Sequence, residues 1–147
     1  MKVLTADTGK CKLEKACEAA CAKAVNKKEG AQYSAIQVAV KNGGPSFSFC
    51  DQCGECIDVC PTIALVRDKQ GIVRIKNPLC VGCLSCVGFC PTEAMFMHAD
   101  DIVPFNCINC GKCIQVCAIG ALALEELPDA ELTETEKRLA AQAKAVA

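Results

Sequence analysis

Three times between Cys50 and Cys117 the chain spaces four cysteines as C-x2-C-x2-C-x3-C. The first of these runs is Cys50, Cys53, Cys56 and Cys60, followed by Pro61. Cys80, Cys83, Cys86 and Cys90 repeat it before Pro91, and Cys107, Cys110, Cys113 and Cys117 repeat it with Ala118 in the proline position. Three cysteines two residues apart can wrap a short loop around one iron–sulfur cubane, so that each thiolate reaches a different iron. The fourth cysteine starts a helical turn that leads away and serves a second cluster. A chain with twelve thiols placed this way must fold around inorganic clusters.

The same frame laid over the N-terminus finds an irregular fourth copy. Cys11, Cys17 and Cys21 fall on positions one, three and four, and position two is Glu14. Read this way, all fifteen cysteines are used and none is left over. The competing reading makes these three thiols buried packing residues or spare redox cysteines.

Composition fits a small metalloprotein. The 147 residues allow one domain, or two intimately joined halves. Fifteen cysteines would mean a disulfide scaffold in a short secreted protein. The start Met-Lys-Val-Leu-Thr-Ala-Asp has no apolar core of secretory length and no twin arginine, so a reducing cytoplasm is expected. There is no Trp, one Tyr and five Phe, so clusters fill the interior and their binding supplies much of the folding energy. The formal net charge is −1, and each oxidised cubane with four thiolates adds about −2. The acidic holoprotein is unsuited to nucleic acid, and no stretch is long enough to span a membrane.

Between the cysteine runs the pattern predicts short hairpins. Ala64–Arg67 and Ile72–Ile75 flank a turn ending in Gly71, and 94–97 with 102–105 reads as a second copy. Ile36, Val38 and Val40 alternate onto one face before a turn at Asn42-Gly43-Gly44-Pro45 and a return through Phe47 and Phe49. The second half of each run predicts about one helical turn stopped by proline, with Ala118 letting the last one run on.

These runs closely resemble those of the bacterial-type ferredoxins. The four-run arrangement over roughly residues 7–127 is similar to the small iron–sulfur electron-transfer subunits of redox complexes. Those serve formate dehydrogenases, dimethyl sulfoxide reductases, hydrogenases, carbon monoxide dehydrogenases and tungsten aldehyde oxidoreductases. The resemblance implies an α+β fold of tandem ferredoxin-like βαβ pseudo-repeats, with short hairpins and short helices around the clusters, plus a C-terminal helix. It implies a polyferredoxin domain over 1–127, with the outer cluster pair from 7–30 and 105–127 and the inner pair from 46–104. A helical tail occupies 128–147.

The resemblance further implies that inner runs pair with inner and outer with outer. Cys50, Cys53, Cys56 and Cys90 would hold one cluster, and Cys80, Cys83, Cys86 and Cys60 its neighbour. Cys107, Cys110, Cys113 and Cys21 would hold a third, and Cys11, Cys17 and Cys117 with Glu14 a fourth. At that last site either the carboxylate ligates a [4Fe-4S] cluster, or three thiolates hold a [3Fe-4S] cluster or a cubane with an open iron. Four [4Fe-4S] clusters in line make an electron-transfer subunit whose partner is a larger catalytic oxidoreductase subunit carrying molybdenum, tungsten, nickel or flavin. The alternatives are a freely diffusing polyferredoxin, a structural zinc protein built on C-x2-C pairs, and an enzyme acting at an open iron.

In the tail, Thr133-Glu-Thr-Glu136 is a capping box opening a helix from Glu134 to about Ala145, with a thin apolar stripe of Leu132, Leu139, Ala143 and Val146. It is either a solvated helix or an arm for a partner subunit or another copy of the chain. The lysines at 10, 12, 15, 23, 27 and 28 read as a solvated face, or else as a surface for an acidic partner near the outer cluster; His98 reads as a turn residue, and Met95 and Met97 as core packing. No phosphate loop, Ser/His/Asp set or carboxylate pair for acid–base work is present.

Overall fold

The computed structural model of the chain describes residues 1–146. Its regular elements are short: β1 (Lys2–Ala6), α1 (Ala16–Val25), a 3-10 turn (Ala31–Tyr33), β2 (Ile36–Lys41) and β3 (Gly44–Phe49). There follow α2 (Glu55–Val59), β4 (Leu65–Arg67), β5 (Val73–Ile75), a second 3-10 turn (Asn77–Leu79) and α3 (Ser85–Gly88). The last elements are α4 (Lys112–Val116), β6 (Leu122–Glu126) and α5 (Glu134–Val146). The mixed helix and strand content agrees with the α+β expectation. The strands pair as three separate two-stranded antiparallel ladders, β1 with β6, β2 with β3 and β4 with β5.

Two of the expected hairpins form as their turn chemistry dictates. Between β2 and β3, Asn42 (φ 52°) and Gly43 (φ 78°) are both left-handed, as a two-residue type I′ turn requires. The register sets Ile36 against Phe49 and Val38 against Phe47. Ile36 and Val38 are buried, but Val40 is 61% exposed, because the tip of the ribbon reaches past the core that covers its base. In the β4–β5 turn, Asp68 accepts the N–H groups of Gln70 and Ile72 (2.9 and 3.0 Å), and Gly71 takes φ 84°.

The hairpin expected over 94–105 shrinks to a single bridge between Phe96 and Phe105. The Asp101 and Val103 N–H groups are spent locally, on the His98 carbonyl and the Asp101 carboxylate. Met97 consequently lies at the surface, 46% exposed, rather than in the core, while Met95 is buried.

The helical turns within the Cys50, Cys80 and Cys107 runs have the expected length. The last one does not run on. It ends at Val116, because Cys117 is extended (φ −81°, ψ 95°), as Cys60 is after α2 (φ −77°, ψ 114°). The backbone leaves the helix at the cysteine itself, so the residue after it does not decide the length.

Sequence patterning missed the ladder of β1 with β6, which joins the two ends of the cysteine-rich region. Lys2 faces Glu126 and Ala6 faces Leu122, burying Val3, Leu4 and Leu122. The Met1 ammonium closes it by bonding the Leu127 carbonyl (2.7 Å) and Asp129 (2.9 Å).

The interior mixes aliphatic side chains with thiols. One cluster joins Leu4, Ile36, Val38, Phe105 and Leu122 to Cys17, Cys21, Cys50, Cys107 and Cys113. A second joins Ile57, Leu65, Val73 and Met95 to Cys56 and Cys86. No helix among the described residues is long and apolar enough to cross a membrane.

Helix α5 begins with the predicted capping box. Glu136 Oε2 accepts the Thr133 N–H (2.9 Å) and Thr133 Oγ1 accepts the Glu136 N–H (3.3 Å). Asp58 of α2 takes the Thr135 N–H (2.8 Å), so the first turn of the tail is fastened to its own chain. Thr135 is buried, while the helix from Ala140 to Lys144 is exposed.

Candidate metal centres

All four cysteine segments bend the same way. The residue two after the first cysteine is left-handed each time: Leu13 (φ 61°), Gln52 (64°), Gly82 (71°) and Asn109 (52°). The residue four after it is left-handed too: Lys15 (57°), Gly54 (90°), Leu84 (61°) and Gly111 (75°). Eight such residues, five of them not glycine, cost conformational energy that only a repeated functional geometry explains. The first segment shares this backbone despite having Glu14 for a cysteine. It departs only afterwards, because α1 continues for ten residues and carries Cys17 and Cys21 on successive turns.

The left-handed turns aim backbone N–H groups at sulfur. Leu13, Gln52 and Asn109 each donate to the first cysteine of their own segment at 3.4 Å. Ala64 donates to Cys60 and Ala94 to Cys90, both at 3.3 Å, and Ala35 donates to Cys21 at 3.3 Å. Such bonds stabilise sulfur-borne negative charge and are one of the levers on cluster potential.

Cysteines from different segments converge. Cys60, Cys80, Cys83 and Cys86 line one small cavity. Cys21, Cys107, Cys110 and Cys113 line another. Cys11, Cys17 and Cys117 line a third, with Glu14, Lys12 and Lys15 on its wall. The remaining four thiols are mutual neighbours: burial pushes the Cys56 thiol up to about 12, helped by the charges of Cys50, Cys53, Cys86 and Cys90. Among the described residues no three His, Cys, Asp or Glu side chains converge closely enough to hold a single metal ion. The donors ring cavities instead, a geometry suited to a polynuclear cluster.

The charges of the four groups also reach one another in a fixed order. Cys56, beside Cys50 and Cys53, feels Cys86 of the next group. Cys107, pushed up to about 12 by burial, feels Cys50 as well as Cys21 and Cys113. Cys113, also raised to about 12 by burial, feels Cys17 beyond Cys21 and Cys110. Cys17 rises to about 11, by burial first and then through Glu18, Cys117 and Cys11. The Cys83 thiol, exposed at the surface, is instead lowered by hydrogen bonds from Ser85.

Other candidates take ordinary places. His98 forms the expected turn, with its carbonyl accepting the Asp101 N–H, and it packs on Tyr33 with ring centroids 4.2 Å apart. Lys10, Lys23 and Lys28 pair with Asp7, Glu29 and Asp100 at the surface.

Sequence reasoning passed over three residues that hold the sites together. Gln52, fully buried, accepts the Val73 N–H and donates to the Cys107 carbonyl, both at 2.8 Å. Asn106, also buried, donates to the carbonyls of Val73 and Cys107 (3.2 Å each) and to Cys50 Sγ (3.8 Å). The two amides bridge the Cys50 and Cys107 loops. Arg67 donates to the carbonyls of Gln52 (2.8 Å), Cys53 (3.3 Å) and Gly71 (3.0 Å). The partners of all three lie in distant segments, where no local pattern could announce them.

Comparison with known proteins agrees with this geometry. Two 4Fe-4S dicluster domain families match overlapping segments, residues 72–118 and residues 49–94. The thiosulfate reductase electron transfer subunit PhsB of Salmonella typhi is 30% identical over 152 residues, an alignment covering 88% of this chain and 78% of that protein. The ferredoxin-like protein YdhX of Escherichia coli (strain K12) is 54% identical over 35 residues, 22% of this chain and 16% of YdhX. A chain of the active site complex BamBC of benzoyl coenzyme A reductase, with 1,5-dienoyl-CoA, shares the fold at a TM-score of 0.50 and 19% identity. That match covers 99% of this chain and 90% of the other. The chain belongs to the ferredoxin-type iron–sulfur electron-transfer subunits, built from [4Fe-4S] dicluster domains.

Proposed function

We propose that this chain is a four-cluster wire between a larger catalytic oxidoreductase subunit and an external electron donor or acceptor. The single observation that carries the count is the grouping of donors from different segments around shared cavities, Cys60 with Cys80, Cys83 and Cys86 above all. On this reading Cys50, Cys53, Cys56 and Cys90 hold a second cluster, Cys107, Cys110, Cys113 and Cys21 a third, and Cys11, Cys17 and Cys117 the fourth with Glu14. The recurrence of both left-handed positions supports a tandem origin for all four segments, the first included. The domain then runs over 1–127 and the tail over 128–147.

A bound [4Fe-4S] cluster supplies a one-electron redox centre. The chain supplies spacing, insulation and the N–H bonds to sulfur that set potential. The mutual charge influence of the thiols supports one order along the wire: the Cys80 site, then the Cys50 site, then the Cys107 site, then the Glu14 site at the far end. Three features favour a subunit over a free carrier. The relative PhsB is by name an electron transfer subunit of thiosulfate reductase. Four clusters exceed what a shuttle needs. Leu79, Val81, Phe89 and Ile102 stand exposed on segments around Cys80, Cys83 and Cys86, as a partner-covered face would have them.

Glu14 is the hardest donor of the sixteen and completes the fourth site through its carboxylate. Anaerobic iron and sulfide analysis tests the whole reading: about sixteen of each per chain are expected, four per cluster. About eight would remove half the sites, and stoichiometric zinc would end the redox reading. For Glu14, the variant Glu14→Ala is expected to turn one cluster into a [3Fe-4S] centre visible by EPR after mild oxidation. An unchanged iron content and oxidation rate would show three thiolates alone at that site.

A further inference from the structure

The tail reaches the cysteine loops through one buried ion pair. Arg67 Nε lies 3.0 Å from Glu136 Oε1, with only 9% and 12% of the two side chains exposed. The other guanidinium nitrogens are spent on the Gln52 and Cys53 carbonyls of the Cys50 run and on Gly71. The fit is close: a Cβ on Gly54, whose φ is 90°, would stand 2.3 Å from Arg67 Nη2. Glu136 is itself fixed at the start of α5 by the capping box, and the Asp58 bond to the Thr135 N–H holds that turn against α2. A full positive and a full negative charge are thus locked against the loop carrying Cys50, Cys53 and Cys56.

From this geometry we infer that Arg67 and Glu136 are opposing potential-setting residues for the cluster on Cys50, Cys53, Cys56 and Cys90, and that the C-terminal helix sets that potential by supplying the negative partner. The inference rests on the ligation proposed above. Reduction adds one negative charge to the cluster. Arg67 favours the reduced state, Glu136 offsets it, and the low exposure of both keeps solvent from screening either. A residue that only shaped the loop would act differently. Removing either partner would then loosen the same contact and move the potential in one common direction.

The experiment is an EPR-monitored redox titration of the full-length holoprotein, with iron and sulfide counted in each variant first. Glu136→Gln keeps the shape of the side chain and should shift the reduction equilibrium of this cluster toward the reduced state by about tenfold, ~59 mV for a one-electron couple. Arg67→Met should shift it the opposite way by a similar factor, and the double variant should fall between the two. If Arg67→Met fails to load, Glu136→Gln decides alone. Loaded variants with no shift, or with shifts of the same sign, overturn the inference. Wild-type protein without a cluster on these four cysteines overturns the ligation first and this inference with it.

Discussion

Gln52 offers a quantitative test of how the Cys50 and Cys107 loops are joined. Replacing it by methionine keeps the length and apolar volume and removes both amide bonds. The two ends are not equally harmed. The Cys107 carbonyl keeps the Asn106 amide at 3.2 Å, whereas the Val73 N–H, buried in β5, has Gln52 Oε1 as its acceptor at 2.8 Å. A buried donor left unpaired costs about 1–3 kcal/mol, which is roughly a 5- to 150-fold change in an opening equilibrium. Hydrogen exchange by mass spectrometry on the holoprotein reads this directly. The peptide containing Val73 should lose protection by that factor, while the β2–β3 ribbon exchanges as before. Unchanged Val73 protection in fully loaded Gln52→Met would refute the argument that this amide pins β5 to the cysteine loops.

Two further outcomes follow from the same geometry. Cys60→Ser should perturb the spectrum of the cluster on Cys80, Cys83 and Cys86 and spare the one on Cys50, Cys53 and Cys56, because Cys60 lines the former's cavity; loss of the latter alone would refute the crossing. Asp58→Ala should speed tryptic cleavage at Lys137 and Arg138 about 2- to 30-fold, for a lost helix-cap bond worth about 0.5–2 kcal/mol, with unchanged cleavage counting against the latch. The Thr135 N–H holds the Asp58 carboxyl below its ordinary value, so the latch is complete above about pH 4 and is lost only as pH falls through the lowered value.

The cysteine runs made the centres legible because ligand spacing is local, and an error of one residue would ruin it. The Asn42-Gly43 hairpin was legible for the same reason, since its turn type is fixed by two adjacent residues. The β1–β6 ladder was not, because Val3-Leu4 and Leu122 are too short a pattern to announce a pairing across the whole chain. The 94–105 ribbon failed where the Asp101 carboxylate took the Val103 N–H. The extra helical turn expected after Cys113 failed because the cysteine, not the following residue, ends the helix. Gln52, Asn106 and Arg67 stayed hidden as ordinary polar residues whose partners lie in other segments.

The pairing of first with last segment has a consequence during synthesis. On the proposed ligation, the two inner sites have all their donors once Cys90 has left the ribosome. The two outer sites wait for Cys107, Cys110, Cys113 and Cys117, and β1 has no partner until β6 follows. At about 5–20 residues per second the N-terminal thiols Cys11, Cys17 and Cys21 wait roughly 5–20 seconds for their partners. For that interval they are open to oxygen, stray metal and one another. Cluster insertion should therefore run from the middle of the chain outward, and oxidative damage to the nascent protein should concentrate at its first three cysteines.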